Sequence, residues 1–323
     1  MQKFILILLT VVFFYQLPAL ARPLGTIPEI QEQDLLMLFD FRSDLWTSPY
    51  TYKDSPVRIT SGEVRVPLYA GDSWAMSAAA YTESLNLGRT DFELGTKDIF
   101  IGNSLRQEYI GIGARKTFDS GASISGFLAS ATASDDPWGS GKDKYTYAAV
   151  IYRSRMIDDH NWIFGVDQSQ NRGIKNGQPF PYLGITYHLQ NDMIVSFGFP
   201  FFRMVWKFAE DWVGSASVTP FGMRVAADRK INSNTSVGAL AALSVRSYLF
   251  HEREEDADRL FYQEIMGEVF LARDLTEATR VIFALGGAAD RKLYESERVY
   301  EPNSQVTTIK SDFYGRLAVE FRL

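Results

Sequence analysis

The feature that most constrains this fold is an alternation of apolar and polar residues that runs to the end of the sequence. In an extended strand, successive side chains point to opposite faces, so a period of two predicts a β-strand with one apolar and one polar face. The alternating pairs are Arg316 and Leu317, Ala318 and Val319, Glu320 and Phe321, and Arg322 and Leu323.

The same alternation recurs along the chain, whereas helical periodicity is nearly absent, which predicts an all-β fold. In each of five further segments an apolar face opposes a charged one, although Gln263 interrupts the apolar face of the last segment. These segments are Leu35–Arg42, Glu63–Leu68, Arg203–Phe208, Met223–Asp228 and Phe261–Leu271.

The N-terminal residues have the layout of an export signal. Lys3 is followed by the apolar run Phe4–Leu17, and Ala19-Leu20-Ala21 has the small-x-small pattern that precedes cleavage. We therefore expect residues 1–21 to be a cleaved signal peptide, residues 22–33 to be a short periplasmic lead and residues 34–323 to form one domain. The layout is typical of bacterial export.

Composition excludes several classes of protein. The chain has no Cys, which rules out disulfides, thiol catalysis and cysteine-ligated zinc. Its formal net charge of −6 argues against a nucleic-acid binder. No later segment reaches the length of apolar sequence that a transmembrane helix needs. An exported all-β chain with 14% aromatic residues is then either a water-soluble sandwich or a membrane barrel.

The lengths of the connections distinguish these two folds. Short polar turns, such as Ala70–Asp72 and Ala209–Asp211, alternate with longer polar loops, such as Ser134–Lys144 and His251–Asp258. Outer-membrane barrels have this asymmetry, with short periplasmic turns and longer outer loops. We therefore predict a transmembrane antiparallel up-and-down β-barrel of about fourteen strands, within an even-numbered range of about 12–16. The short segments around Pro200 leave open whether it marks a tight outer turn or a bulge in one longer strand.

Four tryptophans lie within a few residues of predicted short turns. We predict that they form a girdle at one membrane interface, because indole rings prefer the headgroup region. The alternative is that they belong to the core of a sandwich. They are Trp74, Trp162, Trp206 and Trp212.

The polar faces of the predicted strands carry charges of both signs. In a barrel these residues would line the lumen, where opposed acidic and basic clusters orient solutes and set ion selectivity. The alternative is a closed barrel whose interior is filled by the same side chains. The candidate lumen charges are Glu63, Arg65, Arg203, Lys207, Arg224, Asp228, Glu264, Glu268, Arg316 and Glu320.

Residues Pro181–Pro220 carry a narrower resemblance. The order is Pro-x-x-Gly-x-x-Tyr, a polar turn, an apolar strand ending in Phe-Pro, a second strand, and an acidic turn followed by Trp. This segment resembles an uncharacterised family of bacterial outer-membrane barrels, domain of unknown function 6268. The resemblance implies a location and a porin-like fold and assigns no catalytic residue. Many such barrels end in Phe or Trp, whereas this sequence ends in Leu323, with Phe321 two residues earlier.

Catalytic patterns are weak. The chain has three histidines: His160, which follows Asp158 and Asp159 in a predicted turn, and His188 are expected to be structural. His251, beside the acidic run Glu252–Asp258, offers a possible acid–His site. That run could also hold a divalent cation, but its spacing fits no EF-hand loop. We therefore expect no enzyme activity, no catalytic residue, no metal and no cofactor.

The sequence favours a porin-like passive channel for small polar solutes. Two alternatives stay open: a non-conducting structural or adhesion barrel acting through its outer loops, and a barrel hydrolase. Expected partners are outer-membrane lipid and lipopolysaccharide, together with the barrel-assembly machinery, which would read the C-terminal strand. No nucleic-acid partner is expected, and the oligomeric state is left open.

Overall fold

The computed structural model describes residues 38–46, 57–87, 91–94, 97–100, 104–189, 192–251, 253, 255–277, 279–302 and 306–322. The expected signal peptide (1–21) and periplasmic lead (22–33) lie outside these residues, as do Leu35 and Leu323. The backbone of Glu320 is described, but its side chain lies outside the described part.

Nearly all regular structure in the described residues is β-strand. The strands are β1 (Leu38–Trp46), β2 (Arg58–Ala70), β3 (Trp74–Asn86), β4 (Asp91–Leu94), β5 (Lys97–Phe100), β6 (Ser104–Thr117), β7 (Ser123–Ser134), β8 (Lys144–Arg153), β9 (His160–Ser169), β10 (Pro179–His188), β11 (Met193–Phe199), β12 (Phe202–Ala209), β13 (Trp212–Thr219), β14 (Gly222–Asn232), β15 (Thr235–Tyr248), β16 (Arg259–Asp274), β17 (Thr279–Ser296), β18 (Thr307–Ile309) and β19 (Asp312–Arg322). A 3-10 turn, Gly141–Asp143, precedes β8. Among these residues no helix is long and apolar enough to cross a membrane.

The strands follow one another in an antiparallel, up-and-down ladder. Each long strand pairs with its neighbours in sequence, and β1 pairs with both β2 and β19, so the order of pairing returns to its start. Within the described residues sixteen strands make up this ladder, while β4 and β5 form a separate hairpin and the short β18 pairs only with β17. Sixteen is the upper end of the predicted range, because β11 and β12 are separate strands joined by a tight turn at Pro200 and Phe201.

The two faces of the ladder differ in burial. On the middle strands the apolar face is open, with Ile110 at 66% and Leu128 at 50% exposure, whereas the alternate residues are buried. Cα partners on adjacent strands share a face, so burial at one position identifies the inward face of the whole row. An apolar exterior around a polar interior is the arrangement of a transmembrane β-barrel.

One predicted outward residue is placed differently. Phe261 lies at the start of β16, where the sequence pattern predicts that it belongs to the apolar outer face. It is fully buried instead, because its ring stacks on Tyr294 with a centroid separation of 5.4 Å and packs against Val299 and Ile174 of neighbouring loops. The outer face of the barrel is therefore covered by its own loops at this end.

Connections of different length lie at opposite ends of the ladder. At the short-turn end, where β2 meets β3 and β12 meets β13, connections contain between two and six residues. At the long-loop end, most connections are longer, but β11–β12 and β13–β14 are joined by only two residues each. The predicted asymmetry is present, and the tight turn at Pro200 lies on the long-loop side.

Candidate functional site in the barrel interior

Most of the predicted lumen charges lie on the buried, inward face. Their side chains occupy rows that cross several strands, because the register of the ladder places inward residues side by side. Exposure is below a tenth for six of the ten, namely Glu63, Arg65, Arg224, Glu264, Glu268 and Arg316.

Two of these charged pairs lie on opposite sides of the seam where the ladder closes. The guanidinium of Arg65 donates from Nε to Glu63 Oε1 at 2.9 Å, and the same oxygen accepts from Tyr109 Oη at 3.1 Å. Both side chains are about 5% exposed. Here a charge-assisted hydrogen bond and a phenol together satisfy a carboxylate that is shielded from bulk water.

The second pair joins β16 and β19. Arg316 donates to both oxygens of Glu268, from Nε at 3.1 Å and from Nη2, and Tyr314 donates to Oε2 at 2.9 Å. This is a bidentate arginine–carboxylate contact, the arrangement with the most demanding geometry. Arg316 and Glu268 therefore form an ion pair with each other inside the barrel.

A different group of predicted charges lies on the wall made by β12–β14. Arg203 pairs in register with Ser217, and Ser217 pairs with Arg224, so the two arginines share one inward row. Lys207 and Asp228 share another inward row through Val213, two inward rows closer to the short-turn end. Lys207 is exposed. This wall carries three cations and one acid, which makes it the most basic part of the predicted set.

The sequence interpretation missed the residues that join opposite walls. Arg246 of β15 donates from Nε to Glu83 Oε1 of β3 at 3.2 Å and from Nη1 to Glu264 Oε1 of β16 at 2.7 Å. Their side chains are at most 1% exposed. β3 and β15 are six strands apart along the shorter way round the ladder, so this contact bridges the interior. Tyr248 also donates to Glu83, at 3.3 Å.

The segment after β15 continues across the long-loop end of the barrel. The backbone N–H of Leu249 donates to the carbonyl of Ala133 at 2.5 Å, although β7 and β15 lie eight strands apart in the ladder of sixteen. Leu249 and Phe250 are buried among the side chains of the interior. We call residues 249–251 together with Arg253 the crossing segment.

Two side chains fasten the crossing segment to the β7–β8 loop. His251 Nδ1 lies 3.2 Å from Asp143 Oδ2, and its backbone N–H donates to Asp135 Oδ1 at 2.9 Å. Arg253 donates from Nη2 to the carbonyl of Lys142 at 2.5 Å and lies 3.7 Å from Asp143 Oδ1. The sequence interpretation set His251 among the acids that follow it, whereas the described contacts are with acids of a distant loop.

His251 and Asp143, which join the crossing segment to the β7–β8 loop, stabilise each other's charged form. The hydrogen bond and the negative charge of Asp143 raise the pKa of His251 above the usual histidine value. Burial acts to raise the pKa of Asp143, but hydrogen bonds from Ser140, His251 and Ser134 outweigh burial and lower it. The ligand atoms of Asp136, Asp143 and His251 lie within 4.8 Å of one another. Because Asp143 already accepts these hydrogen bonds, we interpret Asp136, Asp143 and His251 as a contact that joins two loops and not as a metal site.

A second loop, between β9 and β10, also reaches over the interior. The Nη2 atom of Arg172 lies 2.6 Å from Asp167 Oδ1 in a fully buried ion pair. The neighbouring Asn171 donates from its side chain to the carbonyl of Ser247 at 2.9 Å. Beyond them, Gly173 accepts a backbone hydrogen bond from Val299, which ties this loop to the one after β17. The β9–β10 loop therefore contacts both the end of β15 and the loop after β17.

The four tryptophans lie near the short-turn end. Trp74 and Trp162 are close to half exposed, and Trp206 and Trp212 are partly buried. Two of them have a cation beside the ring, Lys116 at 5.3 Å from the centroid of Trp74 and Arg229 at 5.8 Å from that of Trp212. This placement is compatible with the predicted girdle, which stays a prediction.

Comparison with known proteins gives likeness of fold alone. No protein-family model matches the chain, and no curated protein sequence matches it significantly. An outer-membrane channel from Pseudomonas putida F1 is similar over 89% of this chain and 95% of its own, with 11% identity and a TM-score of 0.37. Pseudomonas aeruginosa OpdK, solved with vanillate, matches over 89% and 98% at 9% identity and a TM-score of 0.36. The toluene transporter TodX of P. putida matches over 89% and 88% at 10% identity and 0.34.

Proposed function

We propose that this chain is a porin-like passive channel for small polar solutes in the bacterial outer membrane. The observation that carries the proposal is the contrast between faces: an apolar exterior surrounds an interior lined with Arg, Glu, Asp and Tyr. A barrel that served only as an anchor could fill its interior with apolar side chains. A polar lining is what lowers the cost of moving a hydrated solute across the membrane.

The proposed path has a basic wall and a narrow outer end. Solutes would pass the row containing Arg203 and Arg224 and then meet the crossing segment. The Glu83–Arg246–Glu264 bridge divides the interior, because it joins strands from opposite walls. We therefore propose a small conductance, set at the long-loop end and biased towards anions by the basic wall.

The same bridge favours a second candidate, a non-conducting barrel that acts through its outer loops. A sixteen-stranded barrel has room for a channel, but loops and side chains can plug it. Loops after β7, β9, β15 and β17 make contacts with one another here. In this case the charges would serve stability alone.

Single-channel recording separates the two candidates. The detergent-refolded protein would be inserted into a planar bilayer at several salt concentrations, with folding checked by the heat-modifiable mobility typical of folded barrels. We expect discrete conductance steps, and larger steps in His251→Ala/Arg253→Ala, which releases the crossing segment. The control is Arg298→Ala, an exposed loop residue at the same end. Folded protein that stays silent in all three forms would refute the channel and support the second candidate.

The remaining expectations form part of this proposal. Export through residues 1–21, contact with lipopolysaccharide and reading of the C-terminal strand by the assembly machinery are proposed from the sequence. Membership of the family represented by domain of unknown function 6268 is likewise proposed from residues 181–220 alone. A hydrolase is disfavoured, because His251 contacts carboxylates and no hydroxyl nucleophile in the described contacts.

A further inference from the structure

The outer surface of the barrel holds a concave apolar groove that the proposed channel does not use. Its volume is about 1000 Å³, and it extends over the outward faces of β14–β17 and β19 with Trp212 at its edge. Its lining includes the small residues Ala227, Ala239 and Gly315, together with Phe283 and Leu285, which are both more than half exposed. Elsewhere, as at Ile110 and Leu128, large side chains project from the wall.

Two arginines lie at the short-turn end of this groove. Arg229 pairs in register with Val237, which lines the groove, and its guanidinium lies over the ring of Trp212. Arg273 is two residues beyond Leu271 on β16 and so shares its outward face. Both are exposed, and neither forms an ion pair within the part of the chain that the structure describes.

The geometry points to a binding site for one anionic phospholipid, of the phosphatidylglycerol class, in the leaflet that meets the short-turn end. The groove would take the acyl chains, and Arg229 and Arg273 would hold the phosphate. This proposal rests on the membrane location of the barrel and is independent of whether the lumen conducts.

Charge complementarity decides the occupant. Only one strand, β15, separates the strands that bear the two arginines, and their long side chains reach the same headgroup region. Arginine binds phosphate oxygens through parallel N–H donors, and a tryptophan beside it belongs at the headgroup level. A second copy of the chain would have to supply an apolar ridge and an anion at matching positions. A phospholipid carries both in one molecule.

The test is lipid binding to the delipidated full-length protein in detergent, followed by native mass spectrometry. Phosphatidylglycerol and phosphatidylcholine with identical acyl chains are titrated in parallel. We expect phosphatidylglycerol to bind at lower concentration and Arg229→Gln/Arg273→Gln to weaken it about 30-fold, at the usual contribution of each cation near a membrane surface. Phosphatidylcholine binding should change little in that variant.

Two further variants complete the test. Ala239→Phe fills the groove and should weaken both lipids, and Ala239→Leu replaces it if the larger ring prevents folding. Lys116→Gln is the matched control, because Lys116 also lies over a tryptophan at the short-turn end but away from the groove. Equal affinity for the two lipids, or equal loss in Lys116→Gln and the arginine variant, would overturn the site. Tight binding of glycerol phosphate without chains would do the same.

Discussion

The bridge between opposite walls makes a sharp prediction about stability. Arg246 contacts two carboxylates, those of Glu83 at 3.2 Å and Glu264 at 2.7 Å, and all three side chains are withdrawn from solvent. In Arg246→Met both carboxylates stay buried without their cation. Removing one partner of a buried ion pair costs about 3–5 kcal/mol, so we expect a loss of that size in the free energy of unfolding.

The two acids provide matched comparisons. Glu83→Gln leaves the Arg246–Glu264 pair intact, and the new amide oxygen can still accept from Arg246 and Tyr248. Glu264→Gln leaves the Glu83–Arg246 pair in the same way. Each should cost about 1 kcal/mol, the usual net value of one hydrogen bond.

Urea unfolding of the refolded barrel in lipid vesicles, followed by tryptophan fluorescence, measures these differences. A loss below about 1 kcal/mol in Arg246→Met, or equal losses in all three variants, would refute the bridge as a buried ionic contact.

Three further predictions concern the basic wall, the crossing segment and the apolar outer face. Neutralising Arg203, Lys207 and Arg224 together to Gln should shift the reversal potential in a salt gradient towards cation selectivity, and an unchanged potential would show that they do not face the path. Because folding raises the pKa of His251, its protonated form holds the crossing segment at pH values below the ordinary histidine pKa, and this contribution is lost as the pH rises through the raised value. The protection factor of the crossing segment in amide hydrogen exchange, which corrects for the intrinsic pH dependence of the exchange chemistry, should therefore fall over that rise, and His251→Asn should remove this fall. Ile110→Arg, in the middle of β6, should cost about 2–4 kcal/mol in vesicles if its open face meets lipid, measured by the same urea unfolding.

Much of the architecture could be predicted from local pattern. Alternation identified the strands around Val64, Met223 and Leu317 with the correct outward residues, since the period of a strand is set by its own backbone. Turn spacing distinguished the two ends of the barrel. The strand number was less certain, because the seven residues of β11 fall short of the roughly 9–11 that a spanning strand needs.

In the barrel interior, the alternation of residues within a strand does not predict which charged side chains contact one another. Alternation placed Glu264, Glu268 and Arg316 on a polar face, and the register of the ladder then joined Glu268 to Arg316. The involvement of Glu83 could not be predicted, because its partner Arg246 is 163 residues away. The one available signal was the presence of single charges within otherwise apolar or small-residue strands.

The sequence by itself determined the all-β class, the two-faced strands and the asymmetry between short turns and long loops. These properties depend on residues within a few positions of one another, where backbone geometry alone relates pattern to structure. Only the tertiary structure decided which charges meet, that the crossing segment spans the long-loop end, and that outward residues of five neighbouring strands combine into one groove. Each of these depends on the closure and register of the ladder, which bring together side chains that no local period connects.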